Sequence, residues 1–186
     1  MADIVICGFE PFEGRPVNRS WEVVCALPEA AGVEKLQLPV DFAALHVIVP
    51  QLVARAGRAL VLLGESEAAV DVNVERVALN VVDARIPDNR GAQPRSQELV
   101  PGAPLARYAR WDASTTAALL AAEGVPARVS HYAGTYACNA SLYLALDAAA
   151  QAVTPATIGF LHVPVSGPTK TPTIAVGISR LLLTFR

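Results

Sequence analysis

The sequence is poor in the features that mark several classes of protein. It has 3 cysteines among 186 residues, which cannot all pair within one chain, and none forms a Cys-x-x-Cys unit. This scarcity argues against a disulfide framework, and it predicts a reduced, cytoplasmic protein without a cysteine-based metal site. Charge is also scarce: 17% of the residues are charged and the net charge is -2, so no basic surface for nucleic acid or anionic membrane is expected.

Long apolar runs are missing as well, although hydrophobic residues make up 53% of the chain. Much of that fraction is alanine in short segments, and no uninterrupted apolar stretch reaches the roughly 18 residues that a membrane span needs. The start, Met1-Ala2-Asp3, enters a strand-like run without a preceding basic region, unlike a secretion signal. A length of 186 residues suits one domain with a sizeable core.

What the chain does contain is an alternation of short β-branched or leucine-rich runs with longer, alanine-rich runs. This alternation predicts a single layered α/β/α domain, spanning 1–186, with a twisted and mostly parallel central sheet. Strands are predicted at 4–7, 35–40, 59–63, 72–82, 127–130 and 157–161. Helices are predicted from Asn18 or Ser20 to residue 27, from residue 42 toward 56, at 114–123, after Cys138 and at 172–183.

Finer expectations concern single residues in these segments. Cys7 is expected in the core, because free cysteine usually packs as a small apolar group, and Cys25 is expected on the buried side of the first helix. Pro50 is expected to kink or restart the helix that contains it. The stretch 92–104, rich in Gln and Pro, is predicted to be a long loop.

A possible nucleophile lies in the stretch 132–139, which has the pattern of a strand end, a glycine turn and a helix start. The turn delivers Cys138 to the first turn of the helix, where partial positive charge favours a thiolate and unpaired N–H groups could stabilise an oxyanion. The alternative is that Cys138 is a small buried apolar residue, which is the commoner fate of a free cysteine. The catalytic interpretation needs a histidine from elsewhere in the chain.

His162 has the best position of the three histidines for a catalytic base. It follows the strand predicted at 157–161, and the carboxyl ends of parallel strands converge on one rim of a sheet, so His162 and the Cys138 turn can meet there. Glu75 lies in a predicted strand, and on periodicity alone a solvent-facing position is the simpler interpretation. The other two histidines are expected at the surface, in packing or in a loop.

Aromatic residues mark a further loop, predicted at 8–14 where the first strand ends. Phe9 and Phe12 are either a lid on the core or the apolar walls of a pocket for a small ligand. The glycine spacing matches neither a dinucleotide fingerprint nor a P-loop, which disfavours phosphate binding.

Four stretches together resemble one family, the pyroglutamyl peptidases of type I, also called pyrrolidone carboxyl peptidases. The stretches occur in the family's order and spacing across nearly the whole chain up to Pro164. They are Gly8-Phe9-Glu10-Pro11-Phe12 with Asn18 and Ser20-Trp21-Glu22; Glu75-Arg76-Val77-Ala78-Leu79-Asn80 with Asp83-Ala84-Arg85-Ile86-Pro87-Asp88-Asn89; Ala133-Gly134-Thr135-Tyr136-Ala137-Cys138-Asn139; and Gly159-Phe160-Leu161-His162-Val163-Pro164.

The resemblance implies a cytoplasmic cysteine peptidase that removes N-terminal pyroglutamate from peptides and needs no metal or organic cofactor. It implies that Cys138 is the nucleophile, His162 the general base and then acid, and Glu75 the group that orients the imidazole. Arg85 and the Cys138 N–H would stabilise the oxyanion. Relatives are often homotetramers, so a homo-oligomer is expected.

The resemblance also implies a substrate pocket. Phe9 and Phe12 would flank the lactam ring, and Asn18, Glu65 and Tyr136 are the other residues expected to bind substrate. The neutral lactam suits an aromatic pocket, whereas the free α-ammonium of an ordinary peptide would lie there unpaired.

The chain departs from the family's pattern at several positions. Arg19 replaces the proline of the family's Asn-Pro-Ser-Trp-Glu, Glu13 replaces a glycine, and Glu65 stands in a loop that is expected to meet the lactam. We expect this loop to bind through its backbone, with the Glu65 side chain turned to solvent, because an unpaired carboxylate in an apolar pocket is costly. The segment after Pro164 is shorter and less similar than in relatives, which would alter oligomer contacts made there.

Two other functions stay open at this point. A catalytically weakened pyroglutamyl-binding homologue would keep the pocket and lose turnover, although Cys138, His162 and Glu75 are intact. A nucleoside phosphorylase-like transferase of the same layered fold would need a phosphate-binding loop, and the sequence shows no convincing one.

Overall fold

A six-stranded sheet and the helices on its two faces organise the protein, whose computed structural model describes residues 2–152 and 156–185. The strands are β1 (Ala2–Phe9), β2 (Val33–Leu38), β3 (Ala56–Ser66), β4 (Val72–Glu75), β5 (Val77–Leu79), β6 (Ala106–Tyr108), β7 (Ala127–Ser130) and β8 (Thr157–Pro164). The helices are α1 (Arg19–Ala26), α2 (Phe42–Arg55), α3 (Ala113–Ala122), α4 (Ala137–Gln151) and α5 (Thr171–Leu183).

The main sheet has the strand order β2-β1-β3-β8-β4-β7. Strands β2, β1, β3 and β8 are parallel, whereas β4 is antiparallel to β8 and β7 is parallel to β4. The predicted α/β fold with a mostly parallel sheet is therefore confirmed, with two strands of opposite direction at one side. Those strands bring the carboxyl end of β4 alongside the middle of β8 rather than beside its end.

Two apolar cores lie on opposite faces of this sheet, because successive residues of a strand point to opposite sides. Val5 and Cys7 of β1 face a core formed with α2 and α4, whereas Ile4 and Ile6 face a core formed with α1, α3 and α5. Both faces of β1 are covered, which explains its continuous apolar run. Cys7 is in the core as predicted, and burial together with nearby Glu34 raises the pKa of its thiol to about 12.

The segment predicted as one extended run, 72–82, divides at Arg76 between two sheets. The Arg76 N–H donates to Ser130 of β7, while its carbonyl accepts from the Ala109 N–H just after β6. Strand β5 then pairs with β6 in a separate two-stranded sheet, which the sequence pattern did not predict.

The caps of the first two helices follow the sequence signals. The Asn18 side chain accepts from the Ser20 N–H at the start of α1, and Asp41 accepts from the Ala44 N–H at the start of α2. Each cap satisfies an N–H that has no partner within the helix. Strand β1 continues through Phe9, so the predicted loop begins later than residue 8.

One expectation about the helices is wrong, and one of the two alternatives given for Pro50, a restart of the helix, does not occur. Cys25 is exposed, because the buried face of α1 runs through Ser20, Val23 and Val24, and residue 25 lies on another side of the helix. Helix α2 continues through Pro50 without a restart. The missing N–H at residue 50 leaves the carbonyl of His46 without its helical partner, and His46 lies on the exposed side, where water can replace that bond.

Across the described ranges, 2–152 and 156–185, none of the helices combines the length and apolar character needed to cross a membrane.

Candidate active site

All the residues expected to act in catalysis, substrate binding or oxyanion stabilisation line one cavity of about 390 Å³ at the ends of β1 and β3. The cavity thus brings together the three expected catalytic residues and the expected substrate and oxyanion groups. They are Glu75, Cys138 and His162, with Phe9, Phe12, Asn18, Glu65, Arg85 and Tyr136.

Cys138 is the second residue of α4, as the sequence predicted. Gly134, in the turn before it, has a φ of 81°, a left-handed conformation that favours glycine. The first main-chain bond of α4 runs from the Ala140 N–H to the carbonyl of Tyr136, whose side chain makes no cap. The N–H groups of Ala137 and Cys138 therefore precede the hydrogen-bond ladder of α4, at the positive end of the helix dipole.

Two sets of hydrogen bonds fix this turn against the segment after β4. The Thr135 hydroxyl donates to the Asp83 carbonyl over 2.9 Å, and the Asp83 N–H donates to the Thr135 carbonyl over 3.0 Å. The buried amide of Asn139 accepts from the Leu79 N–H and donates to the carbonyls of Leu79 and Val81. The turn that carries Cys138 is thus held at a set position over the sheet.

His162 lies in β8, and its ring is hydrogen-bonded to Glu75 in the neighbouring β4. His162 Nδ1 is 2.8 Å from Glu75 Oε1, and the two side chains are 8% and 0% exposed. The antiparallel register places Glu75 opposite Phe160, two residues from His162 and on the same face of the sheet. Glu75 is therefore fully buried, and the simpler expectation of a solvent-facing residue is wrong.

The other oxygen of Glu75, Oε2, has no hydrogen-bond partner among the described residues. A buried carboxylate in that state is stabilised chiefly by the charge of its one partner. This favours a protonated His162, in which Nδ1 donates to Glu75 and Nε2 carries the second ring proton.

The pKa of His162 reflects a balance of burial and two neighbours. Burial by itself lowers the pKa of the imidazole, but the charge and hydrogen bond of Cys138, together with those of Glu75, outweigh burial and raise the pKa above its ordinary value. A sulfur on one side of an imidazole and a carboxylate on the other is the arrangement that can activate a cysteine as a nucleophile.

Gly64 of β3 completes the surroundings of the thiol. Its partner in the register of β3 with β8 is His162. A β-carbon at residue 64 would lie 2.6 Å from Cys138 Sγ and 2.8 Å from Phe160. Only glycine leaves room for the thiol at this strand end.

Aromatic rings form the apolar wall of the cavity. Tyr136 lies 6.1 Å from Phe12 and 5.3 Å from Phe42 between ring centroids, the second pair edge to face. The Tyr136 hydroxyl donates to the Pro87 carbonyl over 2.9 Å, and burial raises the pKa of Tyr136 to about 12, so the hydroxyl stays protonated. Phe9 is 2% exposed and belongs to the core as well as to the cavity.

Glu65 is in the cavity wall, but its side chain does not turn to solvent as expected. The side chain is 4% exposed, and its carboxylate accepts from Arg15 Nη1 over 2.9 Å and from the Arg19 N–H over 2.8 Å. The penalty for an unpaired carboxylate is avoided by pairing within the protein rather than by exposure.

Asn18 and Arg85 occupy different parts of the cavity. Asn18 is 2% exposed, and its amide is engaged within the protein: it caps α1 and donates to the Glu10 carbonyl. Arg85 is at the mouth, with a side chain 72% exposed and 3.5 Å from the Glu13 carboxylate. Glu13 has a φ of 55°, which is unusual for a residue with a side chain.

Sequence reasoning missed Arg15 and Asn73, which also line the cavity, and the role of Gly64. Asn73 faces His162 directly across β4 and β8. The period of two in β4 puts Asn73 on the same face as Glu75, and that spacing was the available signal. Arg15 gave no signal, since its partners Glu65 and Glu67 are 50 and 52 residues away.

Comparison with known proteins identifies the family of the chain. A family model described as pyroglutamyl peptidase matches residues 2–178, which includes most of α5. The pyrrolidone-carboxylate peptidase of Thermococcus kodakarensis is 39% identical over 167 residues, covering 88% of this chain and 81% of the relative. The enzyme of the same name from Klebsiella pneumoniae is 41% identical over 169 residues, covering 88% and 78%.

Solved structures give the same result at the level of the fold. Pyroglutamyl peptidase I from Bacillus amyloliquefaciens has a TM-score of 0.91 at 28% identity, covering 100% of this chain and 95% of that one. Pyrrolidone carboxyl peptidase from Thermus thermophilus has a TM-score of 0.88 at 32% identity, covering 98% and 100%. The resemblance carried by the four motifs is therefore confirmed over nearly the whole chain: it belongs to the pyroglutamyl peptidase family and is a cysteine-type hydrolase.

Proposed function

We propose that this protein removes N-terminal pyroglutamate from peptides, with Cys138, His162 and Glu75 as its catalytic triad. The observation that carries the proposal is the chain of contacts from Cys138 through His162 to Glu75 at the bottom of a cavity walled by aromatic rings. A nucleophile, a base and an orienting carboxylate in this order are the parts that acyl transfer needs.

In the first half of the reaction, the Cys138 thiolate attacks the carbonyl carbon of the pyroglutamyl residue and a C–S bond forms. The negative charge on the carbonyl oxygen is stabilised by the Cys138 N–H at the start of α4, with Arg85 at the mouth as a second donor. The His162 imidazolium then gives its proton to the peptide nitrogen, the C–N bond breaks, and the shortened peptide leaves.

In the second half, the neutral imidazole takes a proton from water as the water oxygen attacks the thioester. The C–S bond breaks, pyroglutamate leaves, and the thiolate–imidazolium pair is restored. Glu75 keeps Nδ1 of the ring occupied throughout, so Nε2 serves the thiol, the leaving nitrogen and the water in turn.

Selectivity follows from the lining of the cavity. A lactam is neutral and compact, and it fits beside Phe9, Phe12 and Tyr136 without burying a charge. The α-ammonium of an ordinary peptide would be stripped of water there, and the carboxylate of Glu65 already has a donor on each oxygen. A free amino terminus is therefore excluded by the cost of desolvation.

A comparison of three aminomethylcoumarin amides tests this proposal. The pyroglutamyl amide should be hydrolysed, whereas the prolyl amide, which has the ring but a charged nitrogen, and the glutamyl amide, which lacks the ring, should not. Cys138→Ala should lower kcat by at least about 10³-fold, because the nucleophile is lost while the fold remains. Chelator should leave the rate unchanged, since no metal takes part in the proposed chemistry.

Two results would contradict the proposal. Hydrolysis of the prolyl amide at a comparable kcat/KM would show that the cavity does not select the lactam. Turnover by a folded Cys138→Ala protein, checked by circular dichroism, would exclude Cys138 as the nucleophile. Binding of pyroglutamyl peptides by the wild-type protein without turnover would instead indicate a catalytically weakened homologue.

A further inference from the structure

Arg19 and Glu65, two positions at which this chain departs from the pattern it resembles, are hydrogen-bonded to each other. The main-chain N–H of Arg19 donates to Glu65 Oε2 over 2.8 Å. Arg19 is the first residue of α1, a position where proline is favoured, but a proline there would have no N–H to give. In this chain the carboxylate and its donor occur together.

The second oxygen of Glu65 has its own partner. Arg15 Nη1 donates to Glu65 Oε1 over 2.9 Å, and the two side chains are 26% and 4% exposed. Arg15 also pairs with Glu67, whose side chain is 68% exposed. Screening by water makes the exposed pair weak, whereas the buried, charge-assisted bonds of Glu65 are the strong ones.

Arg19 extends these contacts to the strand that carries His162. Its guanidinium is buried and donates to the carbonyl of Pro164, the last residue of β8, over 2.6 Å and to that of Thr169 over 2.5 Å. The start of α1 is thus tied to the ends of both β3 and β8.

The same contacts reach the aromatic wall of the cavity. The Arg15 guanidinium lies 5.8 Å from the centre of the Phe12 ring, within the range of a cation–π interaction. On the other side, Glu65 directly follows Gly64, the residue against which the Cys138 thiol is seated. Glu65 therefore links the segment that carries Phe12 to the strand end that seats the nucleophile.

We propose that Glu65 is a positioning residue that sets the distance between the Phe12 wall and Cys138, and so determines affinity for the lactam. Its carboxylate acts through Arg15 and the Arg19 N–H, and both of its oxygens are occupied by these donors. The inference rests on the proposed function, which supplies the identity of the substrate. It concerns how the cavity is held, not which residues react.

Glu65→Gln tests the role of the carboxylate, with Glu67→Gln as the matched control on the same guanidinium. An amide at residue 65 can accept from only one of the two donors and turns its own N–H toward the other. Glu65→Gln should raise KM for a pyroglutamyl amide about tenfold while kcat stays within about threefold. Glu67→Gln should leave both within about twofold of wild type.

Hydrogen exchange gives a readout that does not depend on turnover. Amides in residues 10–18 should exchange about tenfold faster in Glu65→Gln than in the wild type or Glu67→Gln, because the segment loses its anchor on β3. Arg15→Met should show the same two effects, and it covers the case in which Glu65→Gln fails to fold. In the double variant Glu65→Gln/Arg15→Met, KM and the exchange rate should lie within about twofold of those of the more affected single variant, because both substitutions remove the same interaction.

The outcomes separate this inference from the proposed function. Equal KM and equal exchange in Glu65→Gln and Glu67→Gln would overturn the positioning role, as would a double variant whose KM effect is the product of the two singles. A wild-type protein without turnover would overturn the proposed function, and the exchange of residues 10–18 would then decide the positioning role alone.

Discussion

The thiol of Cys138 occupies the place where residue 64 would carry a side chain. A β-carbon on Gly64 would lie 2.6 Å from Cys138 Sγ, closer than carbon and sulfur approach without displacement. Gly64 is the partner of His162 in the register of β3 with β8, so the same strand position borders the sulfur and lies beside the imidazole. Any side chain at residue 64 would therefore occupy the space that the Cys138 thiol now fills.

Gly64→Ala should reduce kcat about 10²-fold, because a misplacement of the thiol by about 1 Å is enough to disrupt its alignment with substrate and base. Alkylation of Cys138 should slow as well, which can be measured by loss of activity with iodoacetamide. Gly57→Ala is the matched control, at the other end of β3, where a β-carbon would lie 3.2 Å from the Ala2 carbonyl. Similar kcat losses in both variants would indicate a general effect on β3 rather than on the thiol.

The three cysteines should differ in their reaction with iodoacetamide. Cys138 should react first, because its sulfur is hydrogen-bonded to the His162 imidazole, which can take the thiol proton. Cys25 is exposed and should react more slowly than Cys138. Cys7 should not react in the folded protein, because it is buried and its pKa is about 12.

Mass spectrometry of the labelled protein checks this order. In Cys25→Ala, one equivalent of label should be incorporated at the same rate as activity is lost. The substitution itself should change the free energy of unfolding little. Loss of activity that tracks labelling of residue 25 in the wild type would contradict the order.

The pH dependence of turnover should respond to Glu75. In the proposed mechanism His162 acts as an imidazolium, and its raised pKa places the alkaline limb of kcat/KM above the ordinary histidine value of about 6.5. Glu75→Gln removes a charge and a charge-assisted bond that raise this pKa, so the alkaline limb should move to lower pH by about one unit. The rate at the optimum should also fall, since the ring is less well oriented.

Glu67→Gln is the control for this pH profile, because Glu67 is an exposed carboxylate whose ion pair is with Arg15. Its alkaline limb should match that of the wild type. An unchanged limb in Glu75→Gln would show that Glu75 does not tune the imidazole, and Asp83 or Asp88 would become the residue to test.

Local signals were sufficient to predict the positions of Cys138 and His162 in the fold. A strand end, Gly134 and an apolar run placed Cys138 at the start of α4, and a buried strand placed His162 near its end, because both depend on residues adjacent in sequence. Glu75 was harder to place from its pattern. Whether the polar face of a strand is covered depends on its neighbours, and β4 lies between β8 and β7, which are far away in the chain.

The remaining differences also arise from contacts between distant segments. The direction of β4 is set by its pairing with β8, and periodicity does not encode strand direction. The burial of Glu65 depends on Arg15, 50 residues away, and an isolated carboxylate in the sequence gives no sign of such a partner. The continuity of α2 through Pro50 depends on which face of the helix meets the core.

Substitution of Phe9 should mainly affect stability, whereas substitution of Phe12 should mainly affect substrate affinity. Phe9 is 2% exposed and packs in the core, so Phe9→Ala should lower the free energy of unfolding by about 3–5 kcal/mol. Phe12 is half-buried on the cavity wall beside Tyr136, so Phe12→Ala should cost less than about 2 kcal/mol but raise KM for a pyroglutamyl amide about tenfold. Phe12→Leu should recover most of that affinity, since it restores an apolar wall. Urea unfolding and steady-state kinetics measure the two effects. A Phe12→Ala protein with wild-type KM would show that the lactam does not rest on this ring.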